Sequence, residues 1–319
     1  MTQDASSRAH EGAPVRRPPA PDGLLVVDKP ADWTSHDVVA RVRRLARTRK
    51  VGHAGTLDPM ATGVLVLGIG RATRLLTYVV GADKEYRATI RLGVATTTDD
   101  AEGEVLTRRD AGGVSREAID GGVAALTGAI EQVPSSVSAI KVDGKRSYAR
   151  VRAGETVDLP ARPVTISSFV VEDVRTAVDE GTGVVDVDVT VVCSSGTYIR
   201  ALARDLGAGL GVGGHLTALR RTRVGGYGLD VSATLEELEP EADGAILPMA
   251  TAARATFPAR ELSQEETVLL SYGKRLAVVD APVGTVERPV AGFAPDGTLV
   301  ALLADVDGMS RPVLVFAPA

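Results

Sequence analysis

The segment VVDVDVTVVC (184–193) alternates apolar and polar side chains along most of its length, and it restricts the fold more than any other stretch. A period of two puts Val185, Val187, Val189 and Val191 on one face of a strand and Asp186, Asp188 and Thr190 on the other, so one face needs a core and the other does not. EYRATIRLGV (85–94) and RPVTISSFVVEDV (162–174) read as further strands. VLVLGIG (64–70), a continuous apolar run too short for a comfortable helix, reads as an interior one. Helical spacing is expected over SREAIDGGVAALTGAI (115–130) and GTYIRALARDLGAGL (196–210). Strands and helices mix without a regular β-α-β rhythm, which predicts an α+β fold with a mixed, largely antiparallel central sheet and flanking helices.

Leu24 to Val27 predict a short buried strand stopped at Pro30, and Thr34 with Asp37 forms a T-x-x-D helix start. Val38, Val39, Val42, Leu45 and Ala46 then recur at helical spacing, leaving Arg41, Arg44 and Arg47 largely on the other side. Residues 1–22, rich in Pro, Ala, Ser and charge, predict a disordered tail ahead of a main domain over 23–245. Beyond a boundary rich in acids, small residues and proline, short apolar runs separated by Gly, Pro and Asp predict a small β-rich domain over 250–319. No window approaches the length of a spanning helix and no signal-peptide core is evident, so a cytoplasmic location is expected. The single cysteine, Cys193, and four scattered histidines, His10, His36, His53 and His215, lack metal-ligand spacing, so neither a disulfide nor a structural zinc is expected.

A net charge of −5 hides a segregated distribution. RVRRLARTRK (41–50) carries Arg41, Arg43, Arg44, Arg47, Arg49 and Lys50 with no acid, whereas acids collect in TTDDAEGE (97–104) and LEELEPEADG (235–244). A solvated helix face and a polyanion-binding surface both fit such a run. IKVDGKRSYARVRAGE (140–155) adds Lys141, Lys145, Arg146, Arg150 and Arg152 in what reads as an exposed loop and helix, and HLTALRRTRVGGYGL (215–229) adds Arg220, Arg221 and Arg223. Tyr86, Tyr148 and Tyr198 each stand near Arg or Lys, a pairing of flat ring and cation that suits unstacked bases, although a tyrosine in a strand is also ordinary core.

VGHAGTLDPMATGV (51–64) sets a separate puzzle, because Asp58 stands among glycines and apolar residues with no neighbouring cation. It can be a turn former before Pro59, a phosphoryl acceptor, or a carboxylate nucleophile acting without metal. The second reading lacks the acid that magnesium would need, since Met60 stands two residues on. The third needs a cation elsewhere in the fold. CSSGTYIRALARDL (193–206) offers one: Thr197 can begin a helix whose first turn carries Tyr198 and Arg200. An ordinary surface arginine is the competing reading. GIGRAT lacks the third glycine of a dinucleotide fingerprint, and no phosphate-binding G-x-x-x-x-G-K-[ST] loop is present.

The segments GLLVVDKPADWTSHDVV, VGHAGTLDPMATGVLVLGIGRATRL, KEYRATIRLG, PSSVSAIKVDGKRSYARVRAGE, CSSGTYIRALARDLG and GGHLTALRRTRVG, in this order over roughly residues 23–240, resemble the motifs of the TruB family of tRNA pseudouridine synthases. The C-terminal part is similar in placement to that family's PUA-like RNA-binding domain, with LLSYGKRL (269–276) a weaker match. The resemblance implies a pseudouridine synthase fold and isomerisation of uridine 55 in the tRNA T-loop, by base flipping and an aspartate nucleophile, with no metal or organic cofactor. Carried over by motif position, it implies Asp58 as nucleophile and Arg200 as its partner, holding it ionised. Tyr86 would stack on the flipped uracil and serve in proton removal at C5. Tyr198 and Leu219 would line the base pocket, His53 would fill the space the flipped nucleotide leaves, and Lys29 and Pro30 would support the cleft. Lys141, Lys145, Arg146, Arg150 and Arg152 would clamp the T-arm, with Arg220 and Arg221 on the RNA backbone. The expected partner is tRNA, bound by a monomer, with no membrane and no DNA. Ser195 departs from the lysine of many relatives, removing one phosphate contact. A non-catalytic RNA-binding module and an aspartyl-phosphate phosphohydrolase are the rival functions; retention of D-P, K-E-Y and G-T-Y-I-R favours the isomerase over the first, and the absence of a second acid beside Asp58 disfavours the second.

Overall fold

A computed structural model of the chain describes residues 17–135, 141–142, 145–146, 159–239, 242–280 and 282–317. Fourteen strands precede the C-terminal part: β1 (Gly23–Lys29), β2 (Val51–His53), β3 (Thr62–Ile69), β4 (Lys84–Leu92), β5 (Val94–Thr96), β6 (Val105–Arg108), β7 (Gly128–Gln132), β8 (Lys141–Val142), β9 (Lys145–Arg146), β10 (Arg162–Asp179), β11 (Thr182–Cys193), β12 (Gly214–Val224), β13 (Tyr227–Gly228) and β14 (Leu247–Pro248). Ten of them form one sheet in the order β14-β1-β3-β12-β4-β11-β10-β7, with β2 added to β3 and β13 to β12. Its pairs are antiparallel except β12 against β3, where Arg220 and Arg221 run alongside Thr62 and Gly63. The largely antiparallel α+β architecture expected from the residue pattern is the one observed.

Both faces of this sheet are covered, and that explains why the apolar runs of β1 and β3 are continuous. Leu25, Val27, Leu65 and Leu67 point into one core with helices α1 (Ser35–Leu45), α3 (Arg116–Ala125) and α4 (Ile199–Gly209). Their neighbours Leu24, Val26, Val64 and Val66 point into a second core. That second core also holds the short helix α2 (Leu76–Gly81), helix α6 (Met249–Thr256) and the aromatic side chains Phe293 and Phe316 from the C-terminal part. A four-residue helix, α5 (Leu235–Leu238), joins the first core.

The C-terminal sheet has the order β15-β17-β18-β19-β16, from β15 (Ala259–Glu261), β16 (Leu276–Ala277), β17 (Val290–Phe293), β18 (Leu299–Val306) and β19 (Met309–Val315), with helix α7 (Gln264–Ser271) against it. Among the described residues no helix is long and apolar enough to cross a membrane.

Local signals account for several boundaries. The Thr34 hydroxyl accepts from Asp37 N at 3.1 Å and the Asp37 carboxylate accepts from Thr34 N at 3.0 Å, a reciprocal cap that starts α1 at the expected place. Three expectations need correction. Residues 17–22 are not tail, because Ala20 N donates to Ala46 O at 3.0 Å and Asp22 pairs with Arg71; of the expected tail, residues 1–16 lie outside the described residues. The helix expected over 115–130 ends at Ala125, since Gly128 takes φ +98° and turns the chain into β7 against β10. Thr197 does not start α4; its hydroxyl donates to Ser194 O at 3.0 Å inside the preceding turn, and Tyr198 is the capping position.

Candidate active site

Asp58 sits in the connection between β2 and β3, and three side chains from different elements fix that loop. The Lys29 ammonium, at the end of β1 and fully buried, donates to the carbonyls of Pro30 (2.7 Å), Trp33 (2.7 Å) and Pro59 (3.1 Å). Ser35, in the first turn of α1, holds Leu57 from both sides, donating to its carbonyl at 3.1 Å and accepting from its N–H at 2.9 Å. Arg221 of β12 donates to Val64 O at 2.8 Å, Gly55 O at 3.2 Å and Thr56 O at 3.5 Å. The residues on both sides of Asp58 are therefore held before any substrate arrives, which is the condition for accurate placement of a catalytic group.

Arg200 approaches from the first turn of α4. Its Nε lies 3.1 Å from Asp58 Oδ2, while its terminal nitrogen donates to Asp100 Oδ2 at 3.0 Å and Thr98 O at 3.1 Å. Asp100 is buried and also accepts from Thr98 Oγ1 and, at 3.1 Å, from Glu102 N. One planar guanidinium thus bridges two carboxylates, and only Asp58, whose side chain is 37% exposed, reaches the cavity. Burial pushes the Asp58 carboxyl above the ordinary range and Asp100 adds to this, whereas Arg200, Lys29 and Arg221 pull it down. Desolvation exceeds the attraction of the cations, so Arg200 limits the upward shift without reversing it.

The cavity in front of Asp58 has a volume of about 310 Å³. Tyr86, Tyr198, Leu219, Lys84 and Arg221 line it together with Asp58 and Arg200. Tyr86 comes from β4 and is buried, which pushes its phenol upward; the nearby Arg221 opposes this by charge and as a donor. The neutral phenol is therefore the resting form, able to stack and to hydrogen-bond. Burial likewise brings Lys29 and Lys84 down to about 8 each.

Tyr198 is set by a residue the sequence reading did not single out. The Gln132 amide accepts from Tyr198 N at 2.8 Å and donates to Tyr198 O at 3.1 Å. Gln132 ends β7, two residues past the segment expected to be helical, so the strand that sets it beside α4 was hidden. Asp100 and Ser35 were missed as well; Asp100 belongs to an acid-rich stretch that reads as surface, and Ser35 reads as part of a helix start.

The other expected site residues are more dispersed. His53, on β2, does not line the cavity; its ring stands 5.7 Å from that of His36, edge to face, and burial lowers its pKa. Pro30 contributes its carbonyl to Lys29. Arg220 points to the other side of β12 from Arg221, with its fork on Asp28 at 2.6 and 3.0 Å. Arg221 corrects the expectation of a backbone-binding cation, since it is 1% exposed and its donors are spent on the Asp58 loop. Lys141 and Arg146 face each other across the β8–β9 ladder with Lys145 in the same ribbon, and Arg150, Arg152 and Tyr148 lie outside the described residues. Ser195 Oγ donates to Val80 O at 2.7 Å at the rim of the cavity.

Residues 43–199 match the model of the TruB family pseudouridylate synthase N-terminal domain. Residues 200–252 match the tRNA pseudouridylate synthase B C-terminal domain, and residues 257–317 the tRNA pseudouridine synthase II C-terminal one. The chain is 65% identical over 300 residues to tRNA pseudouridine synthase B of Paenarthrobacter aurescens, covering 93% of this chain and 95% of that one. It is 61% identical over 298 residues to the protein of that name from Streptomyces griseus, covering 93% and 98%. Among solved structures, a Cbf5-Nop10-Gar1 complex aligns with TM-score 0.69 at 27% identity, covering 93% of this chain and 85% of that chain. An H/ACA RNP bound to a substrate RNA containing 2′-deoxyuridine aligns with TM-score 0.66 at 26% identity, with the same coverage. With its carboxylate cavity built on the sheet these relatives share, the chain belongs to the TruB family of tRNA pseudouridine synthases, isomerases that make pseudouridine in tRNA.

Proposed function

We propose that this enzyme acts as a cytoplasmic monomer on uridine 55 in the T-arm, extruding that nucleotide into the Asp58 cavity with Asp58 as nucleophile. In the reaction the N1–C1′ bond breaks, the uracil turns, and a C5–C1′ bond forms. The proton on C5 is lost and N1 gains one, so the product is an isomer and no redox partner is needed. The observation that carries this reading is the 3.1 Å pairing of the half-buried, cavity-facing Asp58 carboxylate with Arg200, whose other end is held by buried Asp100. Such an arrangement aims a single carboxylate at a cavity with room for one extruded base. Tyr86 flanks the base, and Tyr198 and Leu219 complete the walls. Extrusion costs a few kcal/mol, which contacts elsewhere on the RNA must offset; His53 fills the vacated stack, and the Lys141–Arg152 segment clamps the T-arm.

The test is an unmodified tRNA transcript incubated with purified enzyme and mapped by carbodiimide-dependent reverse-transcription stops. A stop at position 55 with the wild type, and none with Asp58→Asn despite retained tRNA binding, is the expected result. A stop at another position overturns the uridine 55 assignment, and substantial activity in Asp58→Asn overturns the nucleophile.

A further inference from the structure

The basic run at the end of α1 does not enter the active site, and the structure gives it a shape of its own. Arg43, Arg44, Arg47 and Arg49 line an open groove of about 640 Å³ together with Arg17 from the segment ahead of β1. Arg47 is neutralised by Asp243. Arg17, Arg43, Arg44 and Arg49 have no carboxylate within ion-pair distance among the described residues, so the groove concentrates four uncompensated guanidiniums in a chain of net charge −5.

The backbone there is built at a cost. Arg47 adopts φ +55°, a left-handed conformation that usually falls to glycine at a helix end. Arg47 N donates to Arg44 O and Thr48 N to Arg43 O, both at 3.2 Å, closing the helix and turning the chain so that Arg49 folds back beside Arg44. The Arg47 guanidinium donates to Pro18 O, at 2.5 Å, and to Leu45 O, at 2.9 Å, and pairs with Asp243. A glycine would relieve the backbone but leave Arg17 and its neighbours untied, so the strain is retained by the contacts that assemble the groove.

The groove shares a helix with the active site. The first turn of α1 is bound to Leu57, next to Asp58, through Ser35. The eleven residues of α1 carry the chain roughly 16 Å from there. His36, Ala40 and Arg43, at i, i+4 and i+7, are exposed on one face, so this face runs from the His36–His53 pair directly into the groove.

We propose that the groove is a second phosphate-binding site, taking the sugar–phosphate backbone of the bound tRNA about one helix length from the reacting nucleotide. The inference rests on tRNA as the substrate and not on which uridine is modified. Guanidinium forks match phosphate oxygens, and a polymer anchored at Asp58 presents them at this distance without any further recognition.

Arg17, Arg44 and Arg49 have no side-chain partner inside the described protein, so the triple variant Arg17→Gln, Arg44→Gln, Arg49→Gln leaves internal contacts intact. Affinity for an unmodified full-length tRNA transcript is measured over about 0.05 to about 0.4 M salt. The expected result is a slope of log affinity against log salt reduced by about 2 and a Kd raised about tenfold or more near 0.1 M. The corresponding triple lysine variant recovers most of the slope, because charge is what the groove supplies. A glutamine variant with wild-type slope and Kd overturns the proposal. So does a groove that binds inorganic phosphate, lost in the glutamine variant, while tRNA affinity does not change. Loss of pseudouridine formation at position 55 in the wild type would fail the reading of the active site without touching this one.

Discussion

At the scale of single residues, the site depends on one arginine shared by two acids and one lysine shared by three carbonyls. As the proposed nucleophile Asp58 acts ionised, and its pKa is raised above the ordinary 3.8, so activity is expected to be lost as pH falls through a value above that of a free carboxylate. Single-turnover rates against pH locate this acid limb, and Arg200→Gln moves it further up because the largest opposing charge is removed. A limb unmoved by that change would mean the pair is electrostatically idle. Lys29 titrates near 8 in the fold against 10.5 when exposed, so the unfolded chain holds more protons between those values and stability gains with pH across that window. Lys29→Met removes this slope. It also strands the carbonyls of Pro30, Trp33 and Pro59 at a cost of about 1–3 kcal/mol, measurable by urea denaturation at neutral pH. The pairing of Asp58 with Arg200 was legible from sequence because both lie in long motifs. Sequence reading failed for Arg221, because R-R-T-R looks like a surface charge run until the strand carrying it is known to be interior.

At the scale of elements, β12 makes the site possible. It lies between β3 and β4 in the sheet, and side chains on its two faces differ completely in setting: Arg221 is buried under the Asp58 loop while Arg220 pairs with Asp28. Gly63 lets β12 approach β3, since it has φ +99° and a Cβ there would lie 2.2 Å from Arg221 O. Gly63→Ala is expected to lose on the order of 3 kcal/mol of stability and to displace Arg221, with activity falling more than the folded fraction does. Denaturant unfolding paired with an activity assay separates the two, and wild-type stability in this variant would deny the close approach. The strand pattern of β3, β4, β10 and β11 and the capped start of α1 were readable because they follow from period and from paired cap residues. Strand β7 was not readable, because GGVAALTGAI continues a helical spacing until the turn at Gly128, and Gln132 was lost with it.

At the scale of the whole molecule, the C-terminal sheet is joined to the back of the catalytic sheet by a common core. Phe293, Leu299, Leu302 and Phe316 pack with Leu24, Val26, Val64 and Val66, and Arg71 donates to Phe316 O at 2.6 Å. Phe316→Ala is expected to cost about 3–5 kcal/mol and to lower the unfolding midpoint of the catalytic sheet along with its own. Two separate thermal transitions, only one of them shifted, would contradict this coupling. The parallel insertion of β12 has a further consequence for how the enzyme comes into being. Strands β3 and β4 emerge early in synthesis, yet the strand that lies between them arrives some 120 residues after β4 ends, and Arg200 and Arg221 arrive with or shortly before it. Until then, the loop holding Asp58 lacks both its arginine partner and its deepest anchor. Chains made from the N-terminus onward therefore cannot assemble the Asp58–Arg200 pair until most of their length is out, and a truncated product is left without it.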